Sequence, residues 1–236
     1  IKIYVTSKSS IDGNNRFCLW TPNGLPANIR GVQEIIERMK IVREHRLKSK
    51  RQETRNLSET PYRFAEVRFE DKPFIFIPRV SSKNRKIIPI SYFDNAYIPS
   101  DAGLTIFTEE LWLFGLLQSK MHMHWVEIVC GRLRDDYRYS SKVVYNNFPI
   151  PDIENAKLEE LTHLSIKLLD LRSESGLTLK EIYDPKIGIP FNIEKIHKKI
   201  DSVVDKIYGL KVGENRFDLL AKIYLNNLQP NSKEFL

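Results

Sequence analysis

The stretch Met121-His122-Met123-His124-Trp125-Val126-Glu127-Ile128-Val129-Cys130-Gly131-Arg132-Leu133-Arg134 runs on through Asp135-Asp136-Tyr137-Arg138-Tyr139-Ser140 to Tyr145-Asn146-Asn147-Phe148-Pro149. Its first half is apolar and helical in pattern. Its second half interleaves arginine, acid and tyrosine. Leu111, Phe114, Leu117, Met121, Trp125 and Ile128 recur on one helical face, which predicts a long helix over about 109–130, stopped by Gly131. A stiff element then delivers the side chains that nucleic-acid readers use: forked arginine, carboxylate acceptors and flat rings. Past the stop, Arg134 and Asp136 stand two apart, and in extended chain they face the same side. There arginine can donate to guanine O6 and N7 while aspartate accepts from cytosine N4. The alternative is a surface ion pair worth under ~1 kcal/mol.

Upstream, residues 1–6 and 16–20 (Arg16-Phe17-Cys18-Leu19-Trp20) are β-prone, with turn chemistry at Asp12-Gly13-Asn14-Asn15 between them, so the pattern predicts a hairpin. A second long helix is predicted from Ile29, Val32, Ile36, Met39 and Val42. It runs into a basic extension with Arg43, Arg46, Lys48, Lys50, Arg51 and Arg55. A helix that loses its apolar face but keeps its cations projects toward phosphate or solvent. Short strands follow: the alternating run 64–69, then Pro73-Phe74-Ile75-Phe76-Ile77-Pro78, whose prolines suit an edge or strand end, then Ile87-Ile88-Pro89-Ile90 and Leu104-Thr105-Ile106-Phe107. The polar loop Ser81-Ser82-Lys83-Asn84-Arg85-Lys86 offers hydroxyl, amide and cation to phosphate oxygens or base edges.

After Pro149-Ile150-Pro151 the pattern turns helical. Leu158, Leu161, Leu164, Leu168 and Leu171 form one stripe. Ile193, Ile196, Ile200, Val203, Val204 and Ile207 form another, with Asn192 a candidate N-cap and Gly209 a stop. Phe217, Leu220, Ile223 and Tyr224 suggest a third helix, and 229–236 reads as a frayed tail. Charge divides the chain at the same place. Residues 151–236 hold 13 Lys/Arg and 14 Asp/Glu, a net of −1, whereas residues 1–150 hold 24 and 16, a net of +8. A polyanion is the natural partner of the first part. Cys18 and Cys130 have no metal-type spacing and read as buried thiols of a cytoplasmic protein. No apolar run reaches membrane-spanning length. The start Ile1-Lys2-Ile3-Tyr4-Val5 reads as a strand cut from a longer protein.

Several motifs carry less than they promise. His122 and His124 point to nearly opposite sides of a helix and cannot share one ion, so no metal site is expected. Glu70-Asp71-Lys72 holds the E-x-K fragment of a nuclease site without its upstream acid, and reads as a turn before Pro73. Asn146-Asn147-Phe148-Pro149 is similar to the adenine-gripping loop of amino-methyltransferases, but its prolines are misplaced, which leaves a boundary turn with Phe148 packed inward. No glycine-rich loop follows a strand, so no adenosylmethionine site is visible.

Taken in order, the words of this chain resemble the target-recognition region of the MmeI-like family of type IIG restriction–modification DNA methyltransferases. Phe17-Cys18-Leu19-Trp20 is similar to the family's entry strand, and the basic segment from Val42 to Arg55 to its leading helix. Ile77-Pro78-Arg79-Val80-Ser81-Ser82 with Arg85 and Ile88-Pro89 resembles its central stretch. Leu113-Phe114-Gly115, Cys130-Gly131-Arg132-Leu133, Tyr137-Arg138-Tyr139-Ser140 and Tyr145-Asn146-Asn147-Phe148-Pro149 follow the family order. Phe148-Pro149-Ile150-Pro151 departs from the family's Phe-Pro-Trp-Pro.

The resemblance implies an α+β fold: a mixed β-sheet target-recognition domain with two long helices over 1–150, then an α-helical C-terminal segment over 151–236. It also implies double-stranded DNA as partner, no cofactor in this part, and S-adenosylmethionine in a parent chain whose adenine-N6 methyltransferase domain lies upstream. The expected base readers are Arg134, Asp136, Ser82 and Asn84. The expected phosphate contacts are Lys48, Lys50, Arg51, Lys83, Arg85 and Arg138. The competing readings are a separate specificity subunit and a protein-interaction scaffold without DNA.

Overall fold

The computed structural model describes residues 1–67 and 69–228. Along the chain run β1 (Lys2–Val5), α1 (Ser7–Asp12), β2 (Arg16–Cys18), α2 (Gln33–Leu47), α3 (Gln52–Asn56), β3 (Phe74–Pro78), β4 (Val80–Ser81), β5 (Ser91–Phe93), β6 (Tyr97–Pro99) and β7 (Gly103–Phe107). Then follow α4 (Leu111–Leu117), α5 (Lys120–Val129), β8 (Gly131–Leu133), β9 (Asp136–Arg138), α6 (Asn155–Glu174), α7 (Leu179–Ile182), α8 (Phe191–Ile207) and α9 (Arg216–Leu228). The described strands form three small sheets, ordered β2-β1-β6, β5-β3-β7 and β4-β9-β8. The expected α+β class is therefore what the chain adopts.

The first two strands pair antiparallel as expected, Ile3 opposite Phe17, but α1 stands between them rather than a turn. Thr6 starts α1 with a capping box and Gly13, at φ 71, ends it. The Phe74–Pro78 run is not an edge. It is the central strand of its sheet, hydrogen-bonded to β5 and β7 and wholly buried. Its prolines are tolerated because they flank the strand's middle. The described part of the predicted strand at 64–69 is irregular, and Arg68 lies outside the described residues, as does the tail 229–236. Ile87-Ile88-Pro89-Ile90 is buried but not a strand.

Both long helices of the sequence reading are broken. The one expected over 109–130 splits into α4 and α5, because Ser119 turns extended and its Oγ accepts the His122 N–H at 3.3 Å. The N-terminus of α5 is also capped from a distance: Asp201 on α8 accepts the Lys120 N–H at 2.7 Å. The basic extension of α2 likewise ends at Leu47, and a separate short helix begins past Arg51. No residue of α2 is buried, and the Val32 and Ile36 of its predicted apolar stripe are 38% and 40% exposed. The half-buried stripe is Ile35, Met39, Val42 and Arg46 instead. The Arg46 guanidinium donates to the carbonyls of Leu57 (2.7 Å), Thr60 (2.8 Å) and Arg63 (2.6 Å), tying α2 to the turn at 57–59.

The C-terminal helices form as read, except that α8 starts after Pro190 with Asn192 inside it, and Phe217 of the third stripe is exposed at 44% while Leu219 and Leu220 are buried. Gly209, at φ 67, ends α8. The core does not stop at residue 150. One apolar cluster runs from Ile75 through Phe114, Trp125 and Phe148 to Leu168, Ile200 and Leu220. The helices α4 and α6 meet at Gly115, where an added Cβ would lie 2.9 Å from Leu161 Cδ1 and closer still to Ser165 Oγ.

At the same seam Arg172 of α6 is 7% exposed. Its Nη1 donates to Ile90 O at 3.0 Å and its Nη2 to Gln118 Oε1 at 2.6 Å. Its Nε donates to Tyr183 Oη at 3.0 Å, and the Tyr183 hydroxyl donates on to His197 Nε2 at 2.8 Å. A second buried histidine, His122 of α5, sits between Leu117 O at 2.8 Å and Tyr139 Oη at 2.9 Å. The carbonyl can only accept, so Nδ1 carries the proton and Nε2 accepts from Tyr139. Burial lowers the His122 pKa to about 4; burial, with Arg172 adding to it, lowers that of His197 to about 3.

Two outcomes follow from this packing. Gly115→Val should destabilise the protein by about 1–3 kcal/mol through overpacking. That corresponds to a melting temperature lowered by roughly 2–12 °C, and an unchanged melting curve would show that the helices can part freely. The histidines set a pH dependence. Above pH ~6.5 they are neutral folded and unfolded, and their contribution is complete. Below it the unfolded chain takes up protons that the folded one refuses. Stability then falls by up to about 1.4 kcal/mol per pH unit per histidine, down to the folded values near 4 and 3. The melting temperature should therefore drop between pH 7.5 and 5. Replacing both histidines by Gln should flatten that slope, and equal slopes in the two proteins would refute the assignment.

Candidate nucleic-acid interface

The helix α5 ends at Val129, and the Cys130 N–H closes it on Val126 O at 3.0 Å. Gly131 is not the stop that its identity suggested. It opens β8, which pairs antiparallel with β9, Gly131 opposite Arg138, Arg132 opposite Tyr137 and Leu133 opposite Asp136. Arg134 and Asp135 form the two-residue turn. Arg134 has φ 56, the one positive φ outside glycine among the described residues. The extended segment expected to align Arg134 with Asp136 is therefore corrected: the chain reverses between them. A residue with a Cβ rarely occupies this region without compensation, and such strain concentrates at functional sites.

On its other side β9 pairs with β4, Val80 opposite Arg138 and Ser81 opposite Tyr137. This register sorts the side chains by face. Ser81 (2% exposed) and Tyr137 (5%) turn inward, and the Arg132 guanidinium stacks 3.9 Å over the Tyr137 ring. The Tyr139 N–H extends the β9–β4 pairing by donating to Arg79 O at 2.8 Å, and the Tyr139 hydroxyl ties the sheet to the core by donating to His122 at 2.9 Å. The outward face carries two rows. One is Val80, Arg138 and Gly131. The other is Asp136 and Leu133, with Ser82 continuing β4 toward Asp136.

The loop past β4 is latched to the hairpin. The Lys83 N–H donates to Asp136 Oδ1 at 3.2 Å, and Lys83 Nζ to Asp135 Oδ2 at 2.7 Å. The Lys83 hydrogen bond and charge hold the Asp135 carboxyl below its ordinary range. Asn84 donates its N–H to Ser82 Oγ at 3.3 Å, and Arg85 its N–H to Ser82 O at 3.2 Å. Arg85 is half-buried, and burial pushes its guanidinium pKa down against the pull of Asp184, Asp136 and Asp12. Ser82, Lys83, Asn84, Arg85, Arg134, Asp136 and Arg138 are thus gathered on one small sheet and its edge loop, from stretches about fifty residues apart. Lys48, Lys50 and Arg51 are exposed elsewhere, between α2 and α3.

Sequence reasoning missed Val80 and Leu133, which are 38% and 49% exposed on the outward face. The signal was two short β runs separated by two residues. It was masked because Arg134-Asp135 lacks the Asn or Gly that advertises a tight hairpin. Other candidates resolve plainly. Both ring nitrogens of His122 are engaged in the interior, while His124 Nδ1 bonds to Lys120 O at 2.8 Å. The Asn147 amide donates to Lys142 O (2.6 Å) and Val143 O (3.1 Å), closing the turn there. Phe148 is packed inward at 5% exposure.

The residues present do not fit adenosylmethionine. The direct strand-to-helix links, Thr6 after β1 and 108–110 after β7, hold no glycine to approach a nucleotide. One surface cleft is lined by charges, among them Lys120, Lys198, Asp201, Asp205 and Arg216. Another is lined by Leu171, Glu174, Pro190 and Phe191, among others.

The chain matches the family model of the MmeI target recognition domain over residues 1–152 and that of the MmeI C-terminal domain over residues 152–233. DNA methyltransferase A of Bacillus subtilis (strain 168) is 37% identical over 226 residues, 94% of this chain and 26% of that protein. The type IIL restriction-modification enzyme MmeI, solved in complex with DNA, superimposes with a TM-score of 0.87 at 34% identity, over 95% of this chain and 30% of that one. The chain therefore spans about a quarter to a third of the length of these relatives. It belongs to the MmeI family, as that family's target-recognition domain followed by its C-terminal domain.

Proposed function

We propose that this chain selects a specific double-stranded DNA sequence and holds it so that a target adenine enters a methyltransferase domain of the same protein. The observation that carries this reading is the outward face of the β4-β9-β8 sheet. It presents a cation, a carboxylate, a hydroxyl and two apolar side chains on a stiff support, next to Arg134 at the turn. The β8–β9 hairpin at the edge of this sheet is the part that can enter a major groove, which admits a two-stranded ribbon. The +8 net charge of residues 1–150 suits the partner. Catalysis and S-adenosylmethionine belong to the part of the protein outside this chain, as the proportions of the relatives suggest. Such enzymes rotate the base out of the helix, so the recognition part must grip the flanking duplex. The bacterial cytoplasm is the compartment this function requires.

Within this reading Arg134, Asp136, Ser82 and Asn84 meet base edges. Arg138 shares the outward face with Asp136 and meets a phosphate. Lys48, Lys50 and Arg51 contact phosphates from α2 and α3. Lys83 and Arg85 contribute positive potential while fixing the loop through Asp135, Asp136 and their neighbours. Residues 1–150 do the reading and 151–236 brace it.

The electrostatic part is tested by titrating duplex DNA across ~50 to ~200 mM salt, where affinity should fall steeply. Lys50→Ala or Arg51→Ala should weaken binding about equally on all sequences and lower the salt slope by roughly 1 each. Binding that ignores salt would refute it. The base-reading part is tested by exchanging Arg134 and Asp136 in the full-length protein. Aspartate tolerates positive φ better than arginine does, so the hairpin survives the exchange. The methylated motif, mapped by sequencing, should change at the positions these two residues meet, with roughly 1–3 kcal/mol of discrimination lost at each. Normal methylation of an unchanged motif would end this assignment.

A further inference from the structure

Leu133 is an exposed aliphatic side chain at a place where the fold had no need of one. It lies on the outward face of a three-stranded sheet whose inward face already supplies Ser81 and Tyr137 to the interior. At 49% exposure it gives up little apolar area to the protein. An isolated exposed leucine is ordinary. This one is distinguished by its register. It pairs directly with Asp136, so the two side chains stand side by side on one face, roughly 5 Å apart across neighbouring strands. Asp136 has one oxygen taken by the Lys83 N–H and the rest free to accept. An acceptor beside a methyl-bearing side chain complements the major-groove edge of a base pair. There an exocyclic amine, on adenine N6 or cytosine N4, lies near the C5 position of a pyrimidine.

We infer that Leu133 reads the C5 edge of a pyrimidine in the major groove, as the apolar half of a paired reader with Asp136. The inference rests on the proposal that this face meets duplex DNA, and goes beyond it by assigning an apolar specificity contact. The occupant is DNA because Arg138 on the face and Arg134 at its turn are cationic, and because the sheet is continuous with the latched loop 82–85. Gly131, on the same strand, leaves the neighbouring row open: a Cβ there would meet only Arg138 O, at 4.0 Å. The groove wall can therefore come close without collision.

The test uses the full-length protein and its own motif, first mapped by sequencing. Synthetic duplexes then carry uracil for thymine, or 5-methylcytosine for cytosine, at one position at a time, and binding is read by fluorescence anisotropy. One position should respond: loss of a thymine methyl should weaken binding about fourfold, or an added cytosine methyl should alter it by a similar factor. An effect of uracil identifies thymine as the base, and an effect of 5-methylcytosine identifies cytosine. Leu133→Ala should erase the response at that position and leave the rest of the profile, whereas Leu133→Met should keep it. A flat profile, or a response that survives in Leu133→Ala, overturns the inference while leaving sequence-specific binding standing. Absence of any sequence preference in the intact protein would instead remove the recognition proposal, and this inference with it.

Discussion

A guanidinium buried among neutral partners governs the architecture. Arg172 reaches from α6 to the Ile90 carbonyl, the Gln118 amide and the Tyr183 hydroxyl, and lies against the Phe114 ring at 5.4 Å. Its partners are dipoles rather than a carboxylate, so the cation's desolvation is offset only while all of them hold their places. Those partners come from both sides of residue 150. The N-terminal strands and the C-terminal helices are thereby committed to one arrangement, which the glycine seam at Gly115 makes close enough to form.

From that frame the β4-β9-β8 sheet hangs by short, specific links. His122, neutral in the interior, accepts from Tyr139, and Tyr139 in turn pairs its N–H with Arg79 at the entrance to β4. The Trp125 indole donates to Val144 O at 2.9 Å, steadying the turn that follows β9. A recognition surface works only if its side chains keep their spacing to within a fraction of a base-pair rise, and sites built on packed strands keep it better than free loops do. Here the one loop that takes part, 82–85, is drawn onto the hairpin by Lys83. The histidine that supports the sheet is also one of the two that resist protonation. Because folded His122 stays neutral down to about pH 4, the sheet keeps this link in mild acid even as the stability of the whole chain falls.

The α2–α3 unit follows another logic. With no buried residue and a basic surface, α2 gains little from the core and is held chiefly by Arg46 gripping three carbonyls. A helix this exposed owes its place to what it touches outside this chain or to many weak polar bonds.

The sequence by itself determined the fold class, the C-terminal helices, the buried Phe74–Ile77 strand and the strip from Gly131 to Tyr139 where charged and aromatic side chains interleave. Apolar periodicity, charge distribution and ordered motif words are local properties, readable without coordinates. It did not determine which face each of those side chains occupies. Gly131 looked like a helix stop because glycine ends helices often, yet a two-residue turn lies three residues on, with no glycine or asparagine to announce it. The placement of Ser82 beside Asp136, the latch through Lys83 and the exposure of Leu133 arise from strands about fifty residues apart in sequence. The break at Ser119 depends on Asp201 arriving from α8 to cap the next helix. Such long-range pairings are fixed by packing and hydrogen-bond satisfaction across the whole chain, and only the tertiary structure decides them.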